Sequence, residues 1–148
     1  LLPGYNYKIS EINCALGYSQ IKKLDKFNKK REKLKKIYIS KLSKVPGINF
    51  QETLRNCKTS NHLFTVLLPK EIRYKKKIEI FKKLKNIGIH LTLKYLPLEM
   101  TKAYKSNEKE FSKEFFNRAF NFPMFYSLNE SDVKKICKKF VNIYKKTI

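Results

Sequence analysis

The sequence predicts an α/β fold of the small α+β kind, in which a long helix leads into a small sheet with helices laid against it. Three observations carry this. Apolar residues recur at helical spacing from Ile12 to Leu42. An apolar run rich in strand formers, His62-Leu63-Phe64-Thr65-Val66-Leu67-Leu68, stops at Pro69. A second helical stripe, Val133, Ile136, Cys137, Phe140 and Tyr144, lies near the end of the sequence. The order helix, strand, helix, strand, helix, helix gives a small sheet whose apolar face the helices cover.

The elements follow in order. Residues 1–9 are irregular and rich in Gly and Tyr. Ser10 is placed as an N-cap, with Glu11 favourably set against the helix dipole. Ile12, Leu16, Leu24, Phe27, Leu34, Tyr38 and Leu42 then mark one amphipathic helix of about thirty residues, ending before Pro46-Gly47. A small domain rarely needs a helix that long for its own core, so the helix is expected to bridge to something else. Ile48 to Phe50 reads as a short strand, and residues 51–61 as a polar loop. Lys75 to Asn86 is helical with Ile78, Phe81 and Leu84 inward, and Gly88 supplies a left-handed cap. Ile89 to Leu93 reads as a second strand. A loop over 94–109, carrying a short helix, leads to a helix over Glu110–Phe120. Phe122-Pro123-Met124 is a short extended piece. Asn129 caps the last helix, with Asp132 at its third position and Leu128 stapled against Val133. The division is therefore 1–45, an opening segment and long helix, and 46–148, a small α/β domain.

Composition bounds the function. At 148 residues, 42% hydrophobic and 14% aromatic, the chain can bury one core, which excludes a disordered basic tail. No apolar run approaches the roughly 18 residues of a membrane-spanning helix, and no signal-peptide pattern is present. The chain opens on Leu1-Leu2-Pro3-Gly4 without an initiator Met, as the interior of a longer protein does. Cys14, Cys57 and Cys137 stand alone, and His62 and His90 are not spaced with them as zinc ligands. No metal site is expected, and scattered thiols point to a reducing compartment, the cytoplasm.

The net charge of +22 has two readings. One is a polyanion partner, because clustered cations gain by releasing phosphate counterions. The other is a compositional bias that places Lys on every solvated surface. Arginine, the residue suited to forked phosphate contacts, appears only at Arg31, Arg55, Arg73 and Arg118. Aromatic residues fall mostly at helical and strand positions that a core would bury, and lysines surround every helix. Both features favour the second reading over a lysine-rich module binding nucleic acid or an anionic membrane.

One ordered set of motifs goes further. Gly4-Tyr5-Asn6-Tyr7-Lys8-Ile9-Ser10-Glu11 leads into a helix with Gln20-Ile21-Lys22-Lys23-Leu24 and Lys30-Arg31. Ser60-Asn61-His62-Leu63-Phe64 follows, then Gly88-Ile89, Tyr95-Leu96-Pro97-Leu98, Phe122-Pro123-Met124 and Leu128-Asn129-Glu130-Ser131-Asp132-Val133. Together they resemble the DegT/DnrJ/EryC1/StrS sugar aminotransferases over the whole length of the chain. The resemblance implies the C-terminal small domain of a fold type I pyridoxal-phosphate enzyme, with the long helix joining it to a large domain. It also implies a homodimer with active sites at the subunit interface. The substrates would be a nucleotide-linked keto-sugar and an amino-acid donor, typically glutamate. The lysine that forms the Schiff base would lie upstream of Leu1, in a large domain that this stretch lacks. No catalytic residue is assigned within the chain.

The same resemblance places cofactor contacts at Asn6, whose amide can donate to a phosphate oxygen, and at Lys8. Lys8 stands where the family has Arg and offers a point charge without the fork. Asn6 is open between that role and a turn asparagine, and Lys8 between it and a solvated lysine. Tyr5, His62, Lys94 and Tyr95 are the candidate substrate contacts. For His62 the other reading is a structural residue at a strand end, and for Tyr95 loop packing. Many relatives have His-Tyr-x-Pro-Leu-His in this loop. Lys94 and Glu99 replace the two histidines in this sequence. Some relatives replace the catalytic lysine with histidine and dehydrate instead. An inactive remnant is the remaining alternative.

Overall fold

The computed structural model describes residues 4–5, 7–104 and 110–148. Helix α1 (Glu11–Ile21) begins at Ser10, whose hydroxyl accepts from the Asn13 amide at 3.3 Å. The expected single long helix is broken. A tight step at Lys22–Lys23, where the Lys23 amide bonds to the Gln20 carbonyl, separates α1 from α2 (Leu24–Leu42). No Pro or Gly marks this step in the sequence. α1 is not an amphipathic core helix either, for it buries no residue: Ile12 is 83% exposed and Leu16 59%. The buried stripe begins in α2 with Leu34, Tyr38 and Leu42.

Among the described residues the sheet has three antiparallel strands in the order β1 (Asn49–Phe50), β2 (Phe64–Leu67), β3 (Ala119–Phe122). The turn into β1 needs Gly47. Its φ is +75°, and a Cβ there would meet Pro69 Cγ at 2.5 Å. β3 is a correction to the predicted helix over Glu110–Phe120. Helix α4 (Glu110–Arg118) stops at Arg118, and the next four residues pair with β2. The pairing extends one residue back, since the Leu68 amide bonds to the Arg118 carbonyl and Arg118 Nε donates to the Leu68 carbonyl. Sheet capture overrides local helix preference here. The predicted strand over Ile89–Leu93 is reduced to a single bridge between Thr92 and Asn121. The Ile89 amide is already committed to the Leu84 carbonyl, closing the end of α3 (Tyr74–Asn86), where Gly88 takes φ +78° as expected.

Helices α2, α3 and α5 (Glu130–Thr147) cover one sheet face. Tyr38 stacks on Phe64 with ring centroids 4.9 Å apart, and its hydroxyl donates to the Pro123 carbonyl. Phe140 of α5 meets Phe122 edge-on at 5.0 Å. α5 starts as predicted, with Asn129 Oδ1 accepting from the Asp132 amide at 2.8 Å. Side chains alternate along β2 and β3: Phe64, Val66, Phe120 and Phe122 join the helices, while Thr65 and Asn121 face the other way. That second face receives the loop after Thr92, which carries two 3₁₀ turns, Leu98–Met100 and Lys102–Tyr104.

Among the described residues, one cation is buried. Lys77 lies on the inner face of α3, its ammonium donating to the Phe116 carbonyl at the end of α4. The rings of Tyr74, Phe116 and Phe120 surround it at 4.6–5.6 Å. Burial lowers its pKa to about 8.

Candidate functional site

The candidate residues fall on three segments. The first precedes α1. Tyr5 and Tyr7 are exposed and meet edge-on with centroids 6.0 Å apart, and Lys8 is exposed beside them. Asn6 lies outside the described residues. Chemically the segment suits a phosphate, since it offers an ammonium and an amide donor. Tyr5, Tyr7, Lys8 and Ile9 are all exposed.

The second segment precedes β2. Arg31 of α2 donates to the Asn28 side chain at 2.7 Å and to the Ser60 carbonyl at 3.2 Å, tying the loop to the helix. Asn61 follows in the left-handed region, φ +50°, and is buried. His62 is exposed two residues before the strand, its Nδ1 3.3 Å from the Ser60 hydroxyl. A groove of about 610 Å³ runs between α2 and this loop, lined by Lys29, Lys36, Lys58, Thr59, Asp25 and Glu32. Its mixed charges select no ligand.

The third segment follows the Thr92 bridge. Lys94 and Tyr95 are exposed and adjacent, with the ammonium 5.9 Å from the ring centroid. Here the structure brings two candidate residues together. Glu99, at the position of the second family histidine, is half-buried, and its Oε1 has no hydrogen-bond partner among the described residues.

Sequence reasoning missed two residues behind this loop. The Thr65 hydroxyl donates to Asn121 Oδ1 at 2.7 Å, and Asn121 Nδ2 donates to the Lys94 carbonyl at 3.2 Å. The available signal was Phe120-Asn121-Phe122, a polar residue alternating between aromatics, as in a strand. One expectation is corrected: many aromatics are exposed, including Tyr5, Tyr7, Tyr18, Tyr95, Tyr104, Phe111 and Phe125. Among the described residues there is no group of three His, Cys, Asp or Glu able to hold a metal, and no helix is long and apolar enough to cross a membrane.

This architecture recurs in solved structures. PseC of Helicobacter pylori, an aminotransferase involved in the biosynthesis of pseudaminic acid, matches with a TM-score of 0.86 at 25% identity, over 97% of this chain and 39% of PseC. Spr1654 of Streptococcus pneumoniae, in its PLP form, matches over the full chain and 39% of its own length with a TM-score of 0.87 at 20% identity, which speaks to fold. The fold is thus one found within aminotransferases. Residues 1–141 match the family model of the DegT/DnrJ/EryC1/StrS aminotransferases, and the chain belongs to that family. The UDP-4-amino-4,6-dideoxy-N-acetyl-β-L-altrosamine transaminase of Campylobacter jejuni is 31% identical over 147 residues, which are 97% of this chain and 39% of that enzyme. Its Helicobacter pylori counterpart is 28% identical over 137 residues. The chain thus spans about 39% of the Campylobacter enzyme's length.

Proposed function

We propose that this chain is the C-terminal part of a pyridoxal-phosphate-dependent aminotransferase that moves an amino group, from glutamate, onto a nucleotide-linked keto-sugar. The product feeds amino-sugar and surface-glycan synthesis. The observation that carries this is the family match over residues 1–141, joined to a relative named as a UDP-sugar transaminase. A 4-keto-6-deoxy UDP-sugar is the substrate class we favour.

Bound pyridoxal phosphate supplies an electron sink for the carbon that loses a proton. Asn6 and Lys8 hold its phosphate from this chain, while the lysine that relays the proton belongs to the rest of the protein. Tyr5 and His62 border the substrate. The Lys94 ammonium offsets diphosphate charge, and the Tyr95 phenol bonds to or stacks on the sugar. The exposure of Tyr5, Tyr7 and Lys8 supports a site shared between two copies of the protein, a homodimer acting in the cytoplasm.

A second reading, a basic nucleic-acid-binding surface, has one observation in its favour. Lys22 lies 4.1 Å from the ring centroid of exposed Tyr18, and Lys26 lies 5.7 Å from that of Tyr126. Such pairs suit stacking on single strands. Two assays separate the readings. Amino transfer from glutamate to a UDP-linked 4-keto-6-deoxy sugar, followed by chromatography, is expected from the protein that joins this chain to its pyridoxal-binding region. Absent transfer, together with oligonucleotide binding that survives physiological salt, would reverse the choice.

A further inference from the structure

The outer sheet face carries a buried polar network that ends at the loop bearing Lys94 and Tyr95. Thr65 and Asn121 are register partners across β2 and β3. They are 8% and 3% exposed. By donating to Asn121 Oδ1 at 2.7 Å, the Thr65 hydroxyl fixes which end of the amide faces the loop. The Nδ2 end then donates to the Lys94 carbonyl at 3.2 Å and to the Thr92 carbonyl at 3.5 Å. The Asn121 main chain also exchanges both bonds with Thr92, at 2.9 and 3.0 Å. Two main-chain and two side-chain bonds from one residue thus hold the stretch from Thr92 to Lys94. Apart from the Thr92 bridge, residues 89–97 belong to no helix or strand, so this anchor substitutes for secondary structure.

The side chains beyond the anchor are free to meet a ligand, Tyr95 being 71% exposed. A backbone pinned on a buried amide, with its side chains in solvent, is the arrangement of a pre-organised contact. We propose that Asn121, oriented by Thr65, is a positioning residue: it fixes the Lys94 carbonyl and so aims the Lys94 ammonium and Tyr95 phenol at a nucleotide-sugar. This rests on the reading of Lys94 and Tyr95 as substrate contacts.

The test uses Asn121→Ala and Thr65→Val in the full-length aminotransferase, with Thr65→Ser as the conservative control that keeps the hydroxyl. Hydrogen exchange at the Thr92 amide, which donates to the Asn121 carbonyl, reads the loop by itself. Both variants accelerate it roughly tenfold, the effect of losing about one hydrogen bond, while α5 stays protected. In steady state KM for the sugar nucleotide rises roughly tenfold with kcat held within about twofold, and Thr65→Ser restores both readouts. Unchanged exchange at the Thr92 amide, or kcat falling in step with the folded fraction, overturns the proposal. Failure of the underlying reading looks different. Lys94→Ala and Tyr95→Ala then leave KM unmoved while the exchange signature persists, which removes the substrate role and leaves only the anchoring.

Discussion

Helices α1 and α5 begin alike. Ser10 accepts from the amide three residues on, as Asn129 does, and each helix opens with an acidic residue in its first turn. Their surroundings then diverge. α5 buries Val133, Ile136, Cys137, Phe140, Tyr144 and Thr147, while α1 buries nothing and holds Ile12, Leu16, Tyr18 and Ile21 in solvent. Capping chemistry thus specifies where a helix starts, and burial decides how much it contributes. The open apolar side chains of α1 call for cover. In the account proposed here, the rest of the aminotransferase and its dimer partner provide that cover.

The sharpest way to break this contrast is truncation on each helix. Phe140→Ala removes a ring packed against Phe120, Phe122 and Tyr144 and is expected to cost about 3–5 kcal/mol in urea unfolding of the chain. Leu16→Ala is expected to stay within about 0.5 kcal/mol. Equal losses would mean that α1 is already anchored.

Lys77 sharpens the core side of the comparison. Its pKa lies near 8 because it is buried, whereas an unfolded lysine titrates near ~10.4. Below about pH 8 both states are protonated and the fold carries the whole cost of burying the charge. Between about pH 8 and 10.4 the unfolded chain holds more protons, so this group's contribution to stability improves as pH rises. Unfolding of the wild type and Lys77→Met, compared at pH 7 and pH 10, should show the wild type gaining up to about 3 kcal/mol on the variant. Tyr38 and Cys137, both pushed upward by burial, are common to the two proteins and largely cancel. A constant gap would refute the linkage.

The caps give the smallest contrast. Asn129→Ala is expected to cost about 1 kcal/mol, seen as a lower melting temperature. Ser10→Ala should fray α1, visible as lost helical circular dichroism, without moving the cooperative transition. A matching drop in melting temperature would tie α1 to the folding unit.

These helices also mark how far the sequence could be read. The apolar spacing of Val133 to Tyr144 and the Asn129 cap specify α5, because a core face and a cap are both local patterns. The run ending at Pro69 located β2, and Gly88 the end of α3. β3 was hidden because its pairing partner lies some fifty residues away, as the Thr65–Asn121 separation of 56 illustrates. The step at Lys22–Lys23 has no breaker residue to announce it. Ile12 and Leu16 imitate a core stripe, since spacing reports that a face is apolar and not what covers it. The exposed Lys94–Tyr95 pair was legible as loop chemistry, but the amide that holds it was not. The contacts that orient a loop join residues distant in sequence.

The central claim, as proposed, is that Asn6 and Lys8 help complete a cofactor site built with another part of the protein. Spectral titration with pyridoxal phosphate tests it most directly, comparing the 148-residue chain with the longer aminotransferase proposed to contain it. The account predicts stoichiometric, yellow binding by the longer protein, weakened in Asn6→Ala and Lys8→Ala, and none by the chain alone. A folded longer protein that stays colourless, or binding that ignores both substitutions, would contradict it.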